Sequence, residues 1–226
     1  MKELTKRILT GFFLLGLLAL TFLNKYILIF SLIFLTLVAW IEFNKLTSKI
    51  FIKNNLLKLL SQTSSLLYIS LFSLLIFEGI SQSQPSYKLN MIYLFSICIS
   101  SDIGGFIFGK TFKGKKLTKI SPNKTIAGSV GSFILPLILV PIFYQLLPHR
   151  FQNIYELLLI TVIVSFFCQI GDLFISYLKR KAKVKDTGKI LPGHGGILDR
   201  IDGILLAIPI GMILWEILLV IWKKKL

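Results

Sequence analysis

Apolar stretches recur along the chain near residues 8–23, 26–43, 64–84, 91–108, 127–147, 154–178 and 203–222. Most approach the roughly 18–20 residues that carry a helix across a ~30 Å hydrocarbon layer at ~1.5 Å per residue. None alternates apolar and polar positions with a period of two, so the pattern predicts helices rather than a barrel. The expected fold is all-α, a polytopic integral membrane protein of about seven transmembrane helices. Only Asn24 and Lys25 separate the first two stretches, which predicts a tight helical hairpin. The segment NKLTSKIFIKNNLLKLL (44–60) carries lysines among apolar residues and no acid, and is expected to lie in the membrane interface.

Composition agrees: 54% of residues are hydrophobic and the mean hydropathy is +0.78, well above the usual range of soluble domains. The start, MKELTKRILTGFF, has the basic-then-apolar form of a secretory signal. No small-residue cleavage site follows, so an uncleaved first helix is expected. Cys98 and Cys168 both lie in apolar stretches and read as small buried hydrophobes, not as a disulfide framework.

A net charge of +16 could suggest nucleic acid, but its distribution argues for a bilayer. With the N-terminus inside, all basic residues except Lys25, Lys88, Arg150 and Lys223–Lys225 fall on the cytoplasmic side. That bias follows the positive-inside rule and places the charge beside anionic headgroups. The three C-terminal lysines run against it. The expected organisation is an N-terminal transmembrane region, 1–90, with the basic interfacial segment 44–60. A second region, 91–226, carries the cytoplasmic loops 109–126 and 179–202.

The aspartates change the picture. All five are Asp102, Asp172, Asp186, Asp199 and Asp202: the first two lie within apolar stretches and the others in the polar segment 176–202. A carboxylate inside a span costs at least a few kcal/mol and normally faces a cavity or a partner. Asp172 lies six residues before Leu178, about 9 Å from the cytoplasmic end of its helix, and Asp102 lies at similar depth. Both point to a cytoplasm-facing polar cavity. Asp172, Ser176 and Lys179 are spaced i, i+4 and i+7 and share a helix face. The plain alternative is that Asp172 pairs with Lys179 or Arg200 to neutralise its charge. The functional reading is a divalent cation, since Mg²⁺ takes carboxylate oxygens and leaves positions for phosphate.

Beyond that helix, Pro192-Gly193 and Gly195-Gly196 break regular structure and allow close approach of backbone N–H groups to a ligand. Asp199 and Asp202 stand at the entrance of the last helix, where either could cap it. His194 alone carries little weight, and a zinc site is not expected. The earlier basic loop has six lysines from Lys110 to Lys124 and no acid, so an anion is the natural partner. Ser121-Pro122-Asn123-Lys124-Thr125 reads as a turn into a helix. Gly109, Gly114 and Lys115 approach a Walker A spacing, but Lys116 occupies the position that needs Ser or Thr. Acids beside many cations on one face suggest phosphoryl or nucleotidyl transfer, which needs charge neutralisation and in-line positioning.

These residues carry a family resemblance. Ser176, Lys179, Arg180, Lys185, Asp186, Gly188, Leu191, Pro192, His194, Gly195, Gly196, Asp199, Arg200 and Asp202 resemble the signature of the phosphatidate cytidylyltransferases, or CDP-diacylglycerol synthases. SDIGGFIFGK (101–110), SPNKT (121–125) and GDL (171–173) look like the family's upstream elements in the right order. The resemblance covers roughly 95–222. It implies that CTP and phosphatidic acid give CDP-diacylglycerol and pyrophosphate with Mg²⁺, a second, monovalent cation such as K⁺ being used by some members. It further implies a bacterial-type inner or plasma membrane, and it leaves a homodimer open. By position, Asp172 and Asp199 look like the metal carboxylates and, with Lys179 and Arg200, the catalytic set. Lys124, Arg180, Ser121, Thr125, Ser176, Lys185, Asp186, His194, Asp202 and Asp102 fall to substrate binding.

Two positions depart from the family pattern: Ile175 where Glu is common, and Ile126-Ala127 where Trp-Glu is common. Both bear on a third metal ligand or base. The competing readings are a CTP-dependent lipid-alcohol kinase, an ion-coupled transporter and a lipid-binding scaffold. Against a transporter, the aspartates lie on one side, and Glu78, Glu156 and Glu216 are scattered over three spans.

Overall fold

The computed structural model describes residues 3–147, 153–190 and 195–223. Among them the chain forms α1 (Glu3–Leu23), α2 (Lys25–Ile50), α3 (Asn55–Ser81), α4 (Pro85–Phe112), α5 (Ile126–Leu137), α6 (Val140–Leu146), α7 (Ile154–Lys181) and α8 (Leu198–Lys223). No strand is present among the described residues beyond an isolated bridge, Lys116 with Thr125. Among the described residues, six helical segments are long and apolar enough to cross a membrane: Lys25–Ile50, Asn55–Ser81, Pro85–Phe112, Ile126–Leu146, Ile154–Lys181 and Leu198–Ile221. The first expected span is a shorter apolar stretch, Leu9–Leu23, within α1. Large exposed side chains such as Phe12, Leu23, Tyr26 and Phe30 fit helices whose outer faces meet lipid.

The described helices divide between two compact units. The first comprises Met1–Ser83 and Tyr177–Ile201, so it holds α1 to α3, the end of α7, the polar loop and the first turn of α8. A single residue, Asn24, joins α1 to α2, and its side-chain oxygen accepts from Tyr26 N (2.9 Å) and Ile27 N (3.3 Å). The expected short connection is thereby capped from within. The segment 44–60 is divided: α2 runs to Ile50 and α3 begins at Asn55, capped by Asn54 through Leu57 N at 2.9 Å. The Thr36 and Ser73 hydroxyls join α2 to α3 at 2.6 Å, and Trp40 Nε1 donates to the Gln62 carbonyl at 3.0 Å.

The second unit comprises Gln84–Ser176 and Asp202–Leu226. Its interior holds Tyr93, Ile97 and Cys98 of α4 and Leu157, Ile160 and Val164 of α7, all fully buried. The Tyr93 hydroxyl meets Thr161 Oγ1 at 2.5 Å, so neither buried polar group lacks a partner. Small residues set the closest approaches. A Cβ at Gly104 would overlap the Gly131 carbonyl of α5, and one at Gly171 would overlap the Asp202 carbonyl of α8. Such contacts let helix backbones touch where side chains would hold them apart.

Candidate active site

The basic loop between α4 and α5 is ordered by its own backbone. Leu117 N donates to the Lys124 carbonyl at 2.8 Å, and Ile126 N donates to the Lys115 carbonyl at 3.0 Å. Lys124 N donates to the Ser121 carbonyl at 3.0 Å, and Ser121 N to Thr118 Oγ1 at 3.2 Å. The predicted turn leads into α5, which Thr125 caps, its hydroxyl accepting from Gly128 N at 3.0 Å.

Lys124 reaches α7 and pairs with Asp172. The other Asp172 oxygen accepts from Ser176 Oγ at 3.3 Å, one turn along the same helix. The two ion-pair side chains are 27% and 28% exposed, so the pair remains open to solutes. A carboxylate offers about four acceptor positions, and this one leaves some unused. Asp102 lies exposed on α4, and Asp202 accepts from Gly203 N at 2.9 Å. Ile175, at one of the departures, is buried and apolar.

The first unit holds the second cluster. α7 ends with Lys183 in the left-handed region (φ 54°), Lys183 N donating to Arg180 O and Val184 N to Lys179 O. This is the Schellman closure with lysine where glycine is usual. Asp199 lies in the first turn of α8, after a turn through Gly195 at φ 83°, which favours glycine. Lys179 Nζ donates to Asp199 Oδ1 at 2.6 Å. Oδ2 accepts from Thr187 N (2.8 Å), Thr187 Oγ1 (2.9 Å) and Gly196 N (3.1 Å). Arg180, Lys185, Asp186 and Arg200 are exposed around this cluster. His194 lies outside the described residues.

One residue here escapes the sequence reading. Glu42 of α2 is 1% exposed and accepts from Thr187 Oγ1 (2.9 Å), Ile197 N (3.2 Å) and Leu198 N (2.9 Å). It is the acid within the expected span 26–43, and an intramembrane carboxylate is the signal that points to it.

Among the described residues, no three His, Cys, Asp or Glu side chains form a self-contained metal cage. Mg²⁺ needs less than that, because phosphate oxygens and water complete its octahedron. The donor set at Asp172 fits such an ion. At Asp199 a cation could approach only Oδ1, beside the Lys179 ammonium.

The profile of the cytidylyltransferase family matches residues 1–218. A protein of Rickettsia typhi (strain ATCC VR-144 / Wilmington) named phosphatidate cytidylyltransferase is 44% identical over 145 residues, 61% of this chain and 62% of that protein. One of the same name from Staphylococcus epidermidis (strain ATCC 35984 / RP62A) is 47% identical over 121 residues, 53% of this chain and 46% of that protein. A third, from Bacillus subtilis (strain 168), is 45% identical over 126 residues, 54% of this chain and 46% of that protein. The chain spans about half to three-fifths of the length of these curated relatives.

Proposed function

The chain belongs to the cytidylyltransferase family, and from that premise we propose that it transfers CMP from CTP to phosphatidic acid, giving CDP-diacylglycerol and pyrophosphate. The observation that carries the reading is the ion pair of Lys124 with Asp172. It joins the Ser-Pro-Asn-Lys-Thr loop to the Gly-Asp-Leu segment of α7, two elements of the family pattern far apart in the chain. It also sets one cation beside one partly exposed carboxylate, the groups that phosphate and its metal ion respectively take as partners.

The reaction proposed is an in-line exchange. A phosphate oxygen of the lipid forms a bond to the α-phosphorus of CTP, and the bond from that phosphorus to the β-bridging oxygen breaks. The electron pair leaves with pyrophosphate. The lipid phosphate is already ionised, so the step needs no strong base. Lys124, Lys179, Arg180, Lys185 and Arg200 supply positive charge for the phosphates of both substrates, and Ser121, Thr125 and Ser176 supply hydroxyls. Asp199 fixes Lys179 through their 2.6 Å contact. Asp172 and Asp199 are the carboxylates assigned to metal. A bound Mg²⁺ would offset phosphate charge there, with a monovalent cation such as K⁺ as the second ion.

The catalytic region is assigned to 91–226, in a bacterial-type membrane, with its cavity facing the cytoplasm. CTP arrives from that side and the lipid from within the bilayer. Purified chain given CTP, Mg²⁺ and phosphatidate should release pyrophosphate in step with lipid consumed. Release of CDP with a lipid alcohol as acceptor, or no release from CTP at all, overturns the reading.

A further inference from the structure

Glu42 is a carboxylate inside a membrane-spanning helix, and a group of that kind needs a reason for its burial. Among the described residues no Lys or Arg pairs with it. Its oxygens instead receive main-chain and hydroxyl donors. Ile197 N and Leu198 N, at the start of α8, both donate to it across more than 150 positions of chain. The amides of a helix's first turn have no partner within the helix and carry partial positive charge, so a carboxylate there is favourable. Glu42 is thus the remote cap of α8.

The remaining donor links Glu42 to the candidate site. Thr187 Oγ1 lies 2.9 Å from Glu42 Oε2 and 2.9 Å from Asp199 Oδ2. The hydroxyl has one hydrogen and sits between two acids. Thr187 also gives its N–H to Asp199 at 2.8 Å and is itself buried. Two glycines of the signature make the room: a Cβ at Gly188 or Gly196 would overlap the Glu42 carboxylate. The loop is therefore shaped around this side chain from both of its ends.

We propose that Glu42 is a positioning residue of the transfer site, holding Thr187 and the start of α8 so that Asp199 keeps its orientation toward Lys179. The assignment rests on the proposed cytidylyl transfer, because Asp199 and Lys179 take their roles from it. Glu42 touches neither substrate in this account. It acts through Thr187 and two amides, and it brings α2 to the cluster of Lys179, Thr187 and Asp199. Groups that orient a metal ligand or a reacting carboxylate commonly change activity about 10–100-fold when removed.

The test uses the full chain in detergent with Glu42→Gln, Thr187→Val and the double variant. Glutamine keeps the shape but replaces one acceptor oxygen with a donor, so it cannot serve all three partners. CMP transfer is measured as kcat and KM for CTP, and trypsin cleavage after Lys185 and Lys189 is followed by mass spectrometry. Each single variant should lower kcat about 10–100-fold with KM for CTP changed less than about threefold. The double variant should lose less than the product of the two single losses, since the two residues act in part through the contact they share. Glu42→Gln within twofold of the parent, or a double loss equal to the product of the single losses, overturns the proposal. Should the parent chain transfer no CMP, the functional reading falls, and the cleavage readout decides Glu42 separately. Faster cleavage in Glu42→Gln then supports the clamp, and an unchanged pattern overturns it.

Discussion

Lys124 and Asp172 are joined by an ion pair that ties the loop after α4 to the C-terminal half of α7. Both side chains remain about a quarter exposed, so the pair is positioned to exchange partners with a phosphate or a cation. Asp172→Asn should therefore abolish turnover while the protein still inserts and folds. Normal turnover in that variant contradicts the metal assignment. Lys124→Ala should raise KM for CTP about tenfold or more, the weight of a charged hydrogen bond, with a smaller change in kcat. An unchanged KM removes Lys124 from the CTP site.

Lys179 and Asp199 form the more buried pair, at 15% and 5% side-chain exposure. Lys179→Met leaves the aspartate with main-chain and hydroxyl donors but no counter-charge. Breaking a buried pair commonly costs about 3–5 kcal/mol, and the partly exposed lysine places this one near the lower end. A clear drop in melting temperature and loss of transfer are expected together. A Lys179→Met protein that melts with the parent contradicts this account of the pair.

The approach of α4 to α5 depends on Gly104. A methyl group there would meet the Gly131 carbonyl, with the Gly131 carbon and Leu135 Cβ both at 2.9 Å. Backbone cannot swing aside as a long side chain can, so Gly104→Ala should destabilise by about 1–3 kcal/mol. Gly16 of α1 has nothing within 4 Å of the added atom and alanine is the better helix former, so Gly16→Ala should melt no lower than the parent. Equal melting temperatures for the two variants contradict the close-packing argument.

Thr125 should show its cap in stability. Thr125→Ala removes the acceptor for Gly128 N and should cost about 1 kcal/mol, read as a lower melting temperature. The unchanged melting temperature of such a variant would mean that α5 begins without this cap.

The helical membrane fold was legible in the apolar stretches because backbone in hydrocarbon has few alternatives to a helix. The turn into α5 was legible too, since Ser-Pro-Asn-Lys-Thr carries its own local chemistry and the helix begins directly after it. The partners of the charged residues were harder to read. Helical spacing offered Lys179 as a neutral match for Asp172, whereas Asp172 pairs with Lys124, and Lys179 pairs with Asp199. Spacing along one helix cannot weigh a cation delivered by a distant loop. The partners of Glu42 were illegible for a related reason: they are main-chain amides and one threonine, none of which marks itself in sequence as the mate of an acid.

The central claim is the transfer of CMP to a lipid phosphate, and the fate of the CTP α-phosphate tests it most directly. Purified chain should be incubated with CTP labelled at the α-phosphate, Mg²⁺ and phosphatidate, and the organic and aqueous phases counted. The account predicts that label enters the lipid phase as CDP-diacylglycerol, and that Asp172→Asn prevents this. Label remaining wholly in water-soluble CDP or CTP contradicts it.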